Sequence, residues 1–306
     1  MLSSRDGQRE QNATRLVDEA EIYLERGLED SALAAFGLAL EENPRLTRAH
    51  MGMGRIYLER GNYTLAEPAY QRAAETEPNN DEARYHLGLV RQLRGGLEEA
   101  VRTYLRALAI NPDHLEANRD IASAYLQLGR AGDALPHARR AVQLNPESQP
   151  AWANLGAAYS LVGRYDEARD AYRQAIELGG RERHVLLGLA EAHIKLGNYR
   201  QAVNVLDVLL EEVPDFGTAH ERMGLARYRL GAYDQALDHY QRAHELDERD
   251  TAALNGIGAC LMTMYLQDDR QNLSLRRRAI NAWQQSLRLQ PNQPRISDLI
   301  ARFRRS

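Results

Sequence analysis

The chain has 306 residues, of which 43% are hydrophobic and 27% are charged, so it can bury a core and is neither collagen-like nor globally disordered. Its formal net charge of −4 excludes the strong basic excess that nucleic-acid binding usually needs. The single cysteine excludes an internal disulfide, and no stretch approaches the roughly 18 uncharged apolar residues of a membrane-spanning helix. We expect no nucleic-acid partner, no membrane insertion and, since the first residues are charged rather than apolar, a cytoplasmic location.

A 34-residue period runs through most of the chain. A column seven residues before each repeated glycine holds only Gly or Ala, and a column five residues after it holds only Ala. A repeat of this length, with small residues at fixed positions, predicts pairs of helices stacked in a row. The glycines that define the period are Gly27, Gly61, Gly95, Gly129, Gly163, Gly197 and Gly231.

Each column has a predicted structural role. The glycine ends the first helix of a pair, because a residue without a Cβ adopts the left-handed conformation at no steric cost. The small columns let helices approach closely, and aromatic residues such as Phe36, Tyr70 and Tyr240 fill the space beside them. Prolines then end the second helix and start the next pair. These prolines are Pro44, Pro78, Pro112, Pro146 and Pro214.

The predicted elements, in chain order, are an extension, repeats and a cap. Residues 1–12 form a polar N-terminal extension, in which we expect fraying up to about residue 10. Residues 13–250 form seven gap-free units, and residues 251–293 form an eighth with a nine-residue insertion near 266–275. A longer helix and loop is favoured over a dedicated binding element for this insertion.

The last segment, residues 294–306, is predicted to be a capping helix. Its apolar residues follow the i, i+3, i+4, i+7 spacing that covers the exposed face of a terminal repeat. They are Ile296, Leu299, Ile300 and Phe303. Arginines at its end suit the helix dipole and do not indicate a binding site. They are Arg302, Arg304 and Arg305.

Motifs for catalysis, cofactors and metals are absent from the sequence. There is no phosphate-binding glycine loop followed by lysine and no zinc-binding histidine pair at i, i+4. His193 stands in a column of tyrosines and is predicted to be a buried, hydrogen-bonded histidine, while Cys260 is predicted to be a packed thiol. The pairs Gly52/Gly54 and Gly256/Gly258 are interpreted as packing residues. We expect no enzyme activity, no cofactor and no metal.

These columns resemble the tetratricopeptide repeat (TPR). The fifth unit matches its signature nearly in full, with Trp152, Leu155, Gly156, Tyr159, Ala168 and Tyr172. The resemblance implies an all-α, right-handed superhelical solenoid of antiparallel helix pairs, whose first helices line a concave groove. The fifth unit departs from the signature at Gly180, where a proline is usual.

The family geometry implies which residues face this groove. Apolar contacts to an extended or helical peptide would come from Met51, Tyr85 and Leu89, and polar contacts from Arg55, Arg119 and Asn154. The full set of candidate peptide-binding residues is Met51, Arg55, Tyr85, Leu89, Arg119, Ser123, Asn154, His184 and Arg222. For any one of them, the alternative is a solvated surface residue without a ligand.

The resemblance favours a non-catalytic protein–protein interaction scaffold. The chaperone-tail clamp of some members is not supported, since the matching positions are Arg119, Ser123, Asn154, His184 and Gly188, which keep about two of its five donors. Two alternatives stay open. One is a self-assembling homo-oligomeric scaffold, as in some bacterial members, and the other is the targeting subunit of a separate enzyme such as a glycosyltransferase.

Overall fold

The computed structural model describes residues 2–304, with side chains from residue 7 onward. Over that range the chain is all-helical, without a strand, as the sequence predicts. It divides into two compact units, Met1–Ala158 and Tyr159–Ser306. The helices that begin in the first unit are α1 (Leu2–Glu25), α2 (Glu29–Glu42), α3 (Thr47–Glu59), α4 (Tyr63–Thr76), α5 (Asp81–Leu93), α6 (Leu97–Ile110), α7 (Leu115–Gln127), α8 (Ala131–Leu144) and α9 (Gln149–Leu161). Those of the second unit are α10 (Tyr165–Glu177), α11 (Arg183–Lys195), α12 (Tyr199–Glu212), α13 (Gly217–Arg229), α14 (Tyr233–Leu246), α15 (Thr251–Gln267), α16 (Leu273–Leu289) and α17 (Pro294–Arg304).

Odd-numbered helices up to α15 are the first helices of the repeats, and even-numbered helices are the second. From α1 to α8 and from α10 to α16, each first helix packs against its own second helix, and each second helix packs against the next first helix within that stretch. Neighbouring first helices also touch, α1 with α3 and α5 with α7 in one unit, and α11 with α13 and α13 with α15 in the other. The side formed by these adjacent first helices is called the first-helix surface below.

Left-handed glycines end the first helices, as predicted. The seven glycines of the 34-residue column have φ angles between 69° and 84°. At Gly61 the amide donates to the carbonyl of Leu58 at 2.9 Å, and the amide of Asn62 donates to Tyr57 at 2.8 Å. These bonds satisfy carbonyls that the helix end leaves free. Gly179, with φ 98°, ends α10 in the same way, in the repeat that lacks its proline.

Aromatic rings of the second helices lie directly on glycines of the first helices. A Cβ at Gly54 would lie 2.9 Å from the Tyr70 ring, and one at Gly256 would lie 2.4 Å from the Tyr240 ring. Because real Cβ atoms do not approach other atoms so closely, the absent methyl is what admits the ring. The interpretation of the two glycine pairs as packing residues is therefore confirmed; the equivalent contacts involve Gly52 with Phe36, Gly88 with Tyr104, Gly188 with Tyr172, Gly224 with Tyr240 and Gly258 with Trp283.

The proline at each repeat junction makes a hydrogen bond that the sequence columns do not reveal. In five repeats the fourth residue of the first helix donates a side-chain N–H to the carbonyl of the proline six residues earlier. The bonds are His50 to Pro44 at 3.0 Å, Arg84 to Pro78 at 2.7 Å, Asn118 to Pro112 at 2.9 Å, Trp152 to Pro146 at 2.8 Å and His220 to Pro214 at 2.8 Å. Four unlike side-chain chemistries thus satisfy one requirement, an N–H for the junction carbonyl.

The insertion near 266–275 lengthens a helix pair. The helices α15 and α16 have 17 residues each, against 13 and 14 in the preceding pair. Between them the turn has two residues with positive φ, Asp269 and Arg270. The insertion therefore adds residues to both helices and to the turn between them.

Helix α17 covers the end of the last repeat. Ile300 is buried, and Ile296, Leu299 and Phe303 pack against the core around Trp283. Arg302 and Arg304 lie in its last turn, whereas Arg305 lies outside the described residues.

The predicted fraying of residues 1–10 differs from the structure, in which α1 begins at Leu2. One contact in this stretch and one just after it hold α1 against α2. Arg9 forms an ion pair with Glu42 at 3.2 Å, and Asn12 donates to the same carboxylate at 2.9 Å. The polar residues here therefore extend the first helix.

The junction hydrogen bond can be tested at His50. We expect His50→Leu to lower the local stability at the start of α3 by about 1 kcal/mol, because the Pro44 carbonyl loses its donor. Hydrogen exchange over residues 44–59 would then be about fivefold faster. His50→Asn keeps a donor, as Asn118 does in its own repeat, and should exchange at the wild-type rate. Equal exchange in both variants would contradict the role of this bond.

The ring-on-glycine contact can be tested at Gly256. We expect Gly256→Ala to lower the free energy of unfolding by about 1–3 kcal/mol, because the new methyl overlaps the Tyr240 ring. Gly37→Ala, in the interior of α2 with no atom within 4 Å of the new Cβ, is the matched control and should gain about 0.5–1 kcal/mol. Thermal unfolding followed by circular dichroism measures both; a stabilised Gly256→Ala would show that the contact is not tight.

Candidate functional site

A cavity of about 540 Å³ opens on the first-helix surface of the first unit, among α1, α3 and α5. It is called the α1–α5 cavity. Two of the predicted groove residues, Met51 and Arg55, line it. The other lining residues are Glu21, Leu24, Glu25, Phe36, Thr47, Arg48, Gly52, Tyr70, Glu77, Asn80 and His86.

The two cavity arginines are already held by carboxylates. Arg48 lies 3.0 Å from Asp18 and 2.7 Å from Glu21, both on α1. Arg55 lies 3.6 Å from Glu59, one turn along α3. Met51 is half-buried between the arginines and contributes the apolar part of the wall. Since these groups are largely exposed, the pairs orient the side chains more than they stabilise the fold.

A second group of predicted residues forms a connected network farther along the first unit. The Tyr85 hydroxyl donates to Asp120 at 3.0 Å, and Arg119 donates to both oxygens of Asp120 at 2.7 and 3.0 Å. The Asn154 side-chain amide donates to the backbone carbonyl of Arg119 at 3.1 Å. The carboxylate of Asp120 therefore links α5 to α7, and the separate bond from Asn154 to the Arg119 backbone links α9 to α7.

The environment of this network changes its acid–base behaviour. Tyr85 is buried, and burial together with the Asp120 charge raises the pKa of its hydroxyl. The hydrogen bond to Asp120 raises the pKa of Arg119. Both groups keep their ordinary charge at neutral pH, and their hydrogen bonds to Asp120 fix the geometry of the surface.

Leu89 and Ser123 lie beside this network. Leu89 is half-buried against the core around Tyr85 and Tyr104. The Ser123 hydroxyl accepts from Gln127 at 3.2 Å, within α7. Neither residue reaches the α1–α5 cavity.

The remaining predicted residues belong to the second unit. Arg222 lies 2.8 Å from Glu191 and also pairs with its neighbour Glu221, whose pKa is raised by burial. His184 is exposed in the first turn of α11. Gly188 holds the ring of Tyr172 and so serves packing. Arg222 and Glu191 link α13 to α11 on the first-helix surface of this unit.

Sequence reasoning missed part of the cavity. Tyr70 was assigned to packing alone, yet its hydroxyl is buried at the cavity and has no hydrogen-bond partner among residues 7–304. The Thr47 hydroxyl and Nδ1 of His86 are likewise buried without a hydrogen-bond partner among residues 7–304. One signal was present: Phe36 occupies the aromatic column of the preceding repeat, so the hydroxyl of Tyr70 is not required for packing.

Reactive groups elsewhere are packed. Cys260 is fully buried, and burial raises the pKa of its thiol to about 12. His193 is buried as predicted, but the predicted hydrogen bond is wrong for Nδ1, which has no partner within residues 7–304. No cluster of three metal-binding side chains occurs in the described part of the chain. Within it, no helix combines the length and apolar character that crossing a membrane requires.

Sequence profiles of the tetratricopeptide repeat match the chain in overlapping segments. The matches run from residue 17 to residue 250 and cover most of the chain. No curated protein matches it in sequence. The matched segments are 17–81, 51–114, 85–149, 125–179, 162–223 and 218–250.

Solved structures with the same fold are distant in sequence. A tetratricopeptide repeat protein from Parabacteroides merdae is 20% identical, with a TM-score of 0.56 over 84% of this chain and 98% of its own. PilF of Pseudomonas aeruginosa is 19% identical, with a TM-score of 0.58 over 68% and 95%. YrrB, described as a TPR protein with an unusual peptide-binding site, is 18% identical, with a TM-score of 0.53 over 64% and 96%. The 34-residue period, the stacked helix pairs and the matching profiles together show that this chain belongs to the tetratricopeptide repeat family.

Proposed function

We propose that this chain is a non-catalytic scaffold that binds a partner peptide or protein on its first-helix surface. The α1–α5 cavity is the observation that carries the proposal. Its volume of about 540 Å³ is in the range of pockets that enclose a small ligand, and its lining combines apolar side chains such as Leu24, Phe36 and Met51 with charged and polar groups. Such a pocket suits a side chain of a bound peptide.

The arrangement of the rest of the surface supports the same function. Neighbouring first helices touch in both units, α1 with α3 and α11 with α13 among them, and stacked repeats typically use such surfaces for binding. The Asp120 network fixes Tyr85 and Arg119 before any partner arrives, so less conformational entropy is lost on binding. The similarity to YrrB, whose structure is described by its peptide-binding site, is in keeping with this use of the fold.

Site-directed photo-crosslinking tests the location of the partner. Arg55→Cys places a single reactive thiol beside the cavity, because Cys260 is buried and its pKa is raised to about 12. With a benzophenone maleimide attached, we expect discrete crosslinked bands in extract of the source cells, analysed by mass spectrometry.

Arg106→Cys, on the exposed side of α6, is the matched control. It carries the same reagent on a second helix of the same unit. We expect it to give none of the bands seen with Arg55→Cys. Identical bands at both positions, or none at position 55, would reject the first-helix surface as the binding face.

The two alternatives from the sequence make different predictions. If binding to other molecules is the function, light scattering should give a constant mass near 34.6 kDa over an about hundredfold dilution. A mass that falls on dilution would instead support self-assembly. An enzyme as the crosslinked partner would support the role of targeting subunit.

A further inference from the structure

The floor of the α1–α5 cavity consists of aromatic rings on bare backbone. A Cβ at Gly52 would lie 2.2 Å from the Phe36 ring, and one at Gly54 would lie 2.9 Å from the Tyr70 ring. The Tyr70 ring also stacks on His86, with centroids 5.0 Å apart and planes at 13°. Two glycines in α3 thus admit the two rings against its backbone.

Three buried polar atoms at this cavity have no hydrogen-bond partner among residues 7–304. They are the hydroxyl oxygens of Thr47 and Tyr70 and Nδ1 of His86. Tyr70 is 1% exposed and Thr47 is 6% exposed. A buried polar group without a partner costs free energy, so three such groups at one cavity point to a ligand that satisfies them.

All three atoms can accept a hydrogen bond. Nε2 of His86 faces Glu82 at 3.7 Å, which favours the tautomer with its proton on Nε2 and leaves Nδ1 as an acceptor. Burial, together with the nearby His114, lowers the pKa of His86, so the ring is neutral at pH 7. The hydroxyls of Thr47 and Tyr70 accept through their lone pairs. The cavity therefore suits a ligand rich in donors.

The charge of the cavity favours a cation. Carboxylates outnumber guanidinium groups among the lining residues by three to two, with Glu21, Glu25 and Glu77 against Arg48 and Arg55. Both arginines are paired, and their pairs bring in two further carboxylates, Asp18 and Glu59. The local excess is therefore negative, and a positively charged side chain gains from it.

We infer that the α1–α5 cavity accepts an arginine side chain of the partner, an inference that rests on the proposed function. The alkyl stem would pass between Leu24 and Met51, and the guanidinium would lie among the cavity carboxylates and donate to Thr47, Tyr70 and His86 once these buried side chains turn toward it. A guanidinium has five N–H donors in a fixed plane, against three on a lysine ammonium, and is less strongly hydrated. Arginine therefore offers these acceptors more donors, at a lower desolvation cost, than lysine does.

Fluorescence polarisation with matched peptides tests this selectivity. The probe is fluorescein-labelled Ser-Gly-Leu-Arg-Leu-Gly-Ser amide, and its central residue is replaced by citrulline, lysine, norleucine or glutamate. We expect the arginine peptide to bind with a Kd of about 10–100 µM. The citrulline peptide, which keeps the shape but loses the charge, should bind about tenfold more weakly, and the glutamate peptide should not bind.

Isosteric variants then remove single acceptors from the cavity. Tyr70→Phe and Thr47→Val keep the packing volume, and each should weaken binding of the arginine peptide about five- to tenfold. Tyr240→Phe is the matched control, since Tyr240 occupies the same repeat position on Gly224 in the second unit, and it should bind as the wild type does.

Three results would overturn the inference. They are equal affinity for the norleucine or glutamate peptide, unchanged affinity in both cavity variants, or no binding of the arginine peptide at about 1 mM. The crosslinking at position 55 stands apart from these measurements. If it captures a partner while the peptides show no arginine preference, the scaffold function holds and the side-chain specificity is wrong.

Discussion

The fold depends on aromatic rings that lie where a Cβ would otherwise be. In most repeats a ring of the second helix sits on a glycine of a first helix, at distances that no side chain at that position could allow. This contact fixes how closely the helices approach and therefore how the next repeat is placed. At Gly52 it has a second effect. The residue has no side chain on the first-helix surface, so the packing that builds the array also leaves the α1–α5 cavity open.

The repeat junctions show how one requirement accepts several residue types. The carbonyl of the junction proline needs a donor, and histidine, arginine, asparagine and tryptophan all supply an N–H from the same helical position. The constraint lies in the position of the donor atom, so the amino acid can vary while the geometry is kept. This freedom lets the first helices differ in the residues they present to a partner while their ends stay alike.

Charge on the first-helix surface is largely compensated within the protein. Arg119 is held by Asp120, Arg222 by Glu191 and Arg48 by α1 carboxylates. These arginines shape the surface and leave few polar groups unsatisfied. Three residues of the α1–α5 cavity carry buried acceptors without a partner within residues 7–304, and single atoms of this kind, such as Nδ1 of His193, also occur elsewhere in that range. Specific recognition of one side chain needs such unsatisfied groups, since exposed and already paired charges discriminate weakly.

The 34-residue period was enough to predict the helix pairs, their ends and their packing residues. Gly61, Tyr70 and Gly256 were all assigned correctly, because backbone conformation and side-chain volume repeat every 34 residues. The hydrogen bonds and ion pairs between side chains, in contrast, depend on how the helices pack together. No spacing shows that Tyr85 donates to Asp120, or that the Tyr70 hydroxyl stays unpaired, because these depend on distances between helices far apart in the chain. The 34-residue period indicates which residue type each packing position requires. Only the folded array shows which polar atoms lack a hydrogen-bond partner within the described residues and can bind another molecule.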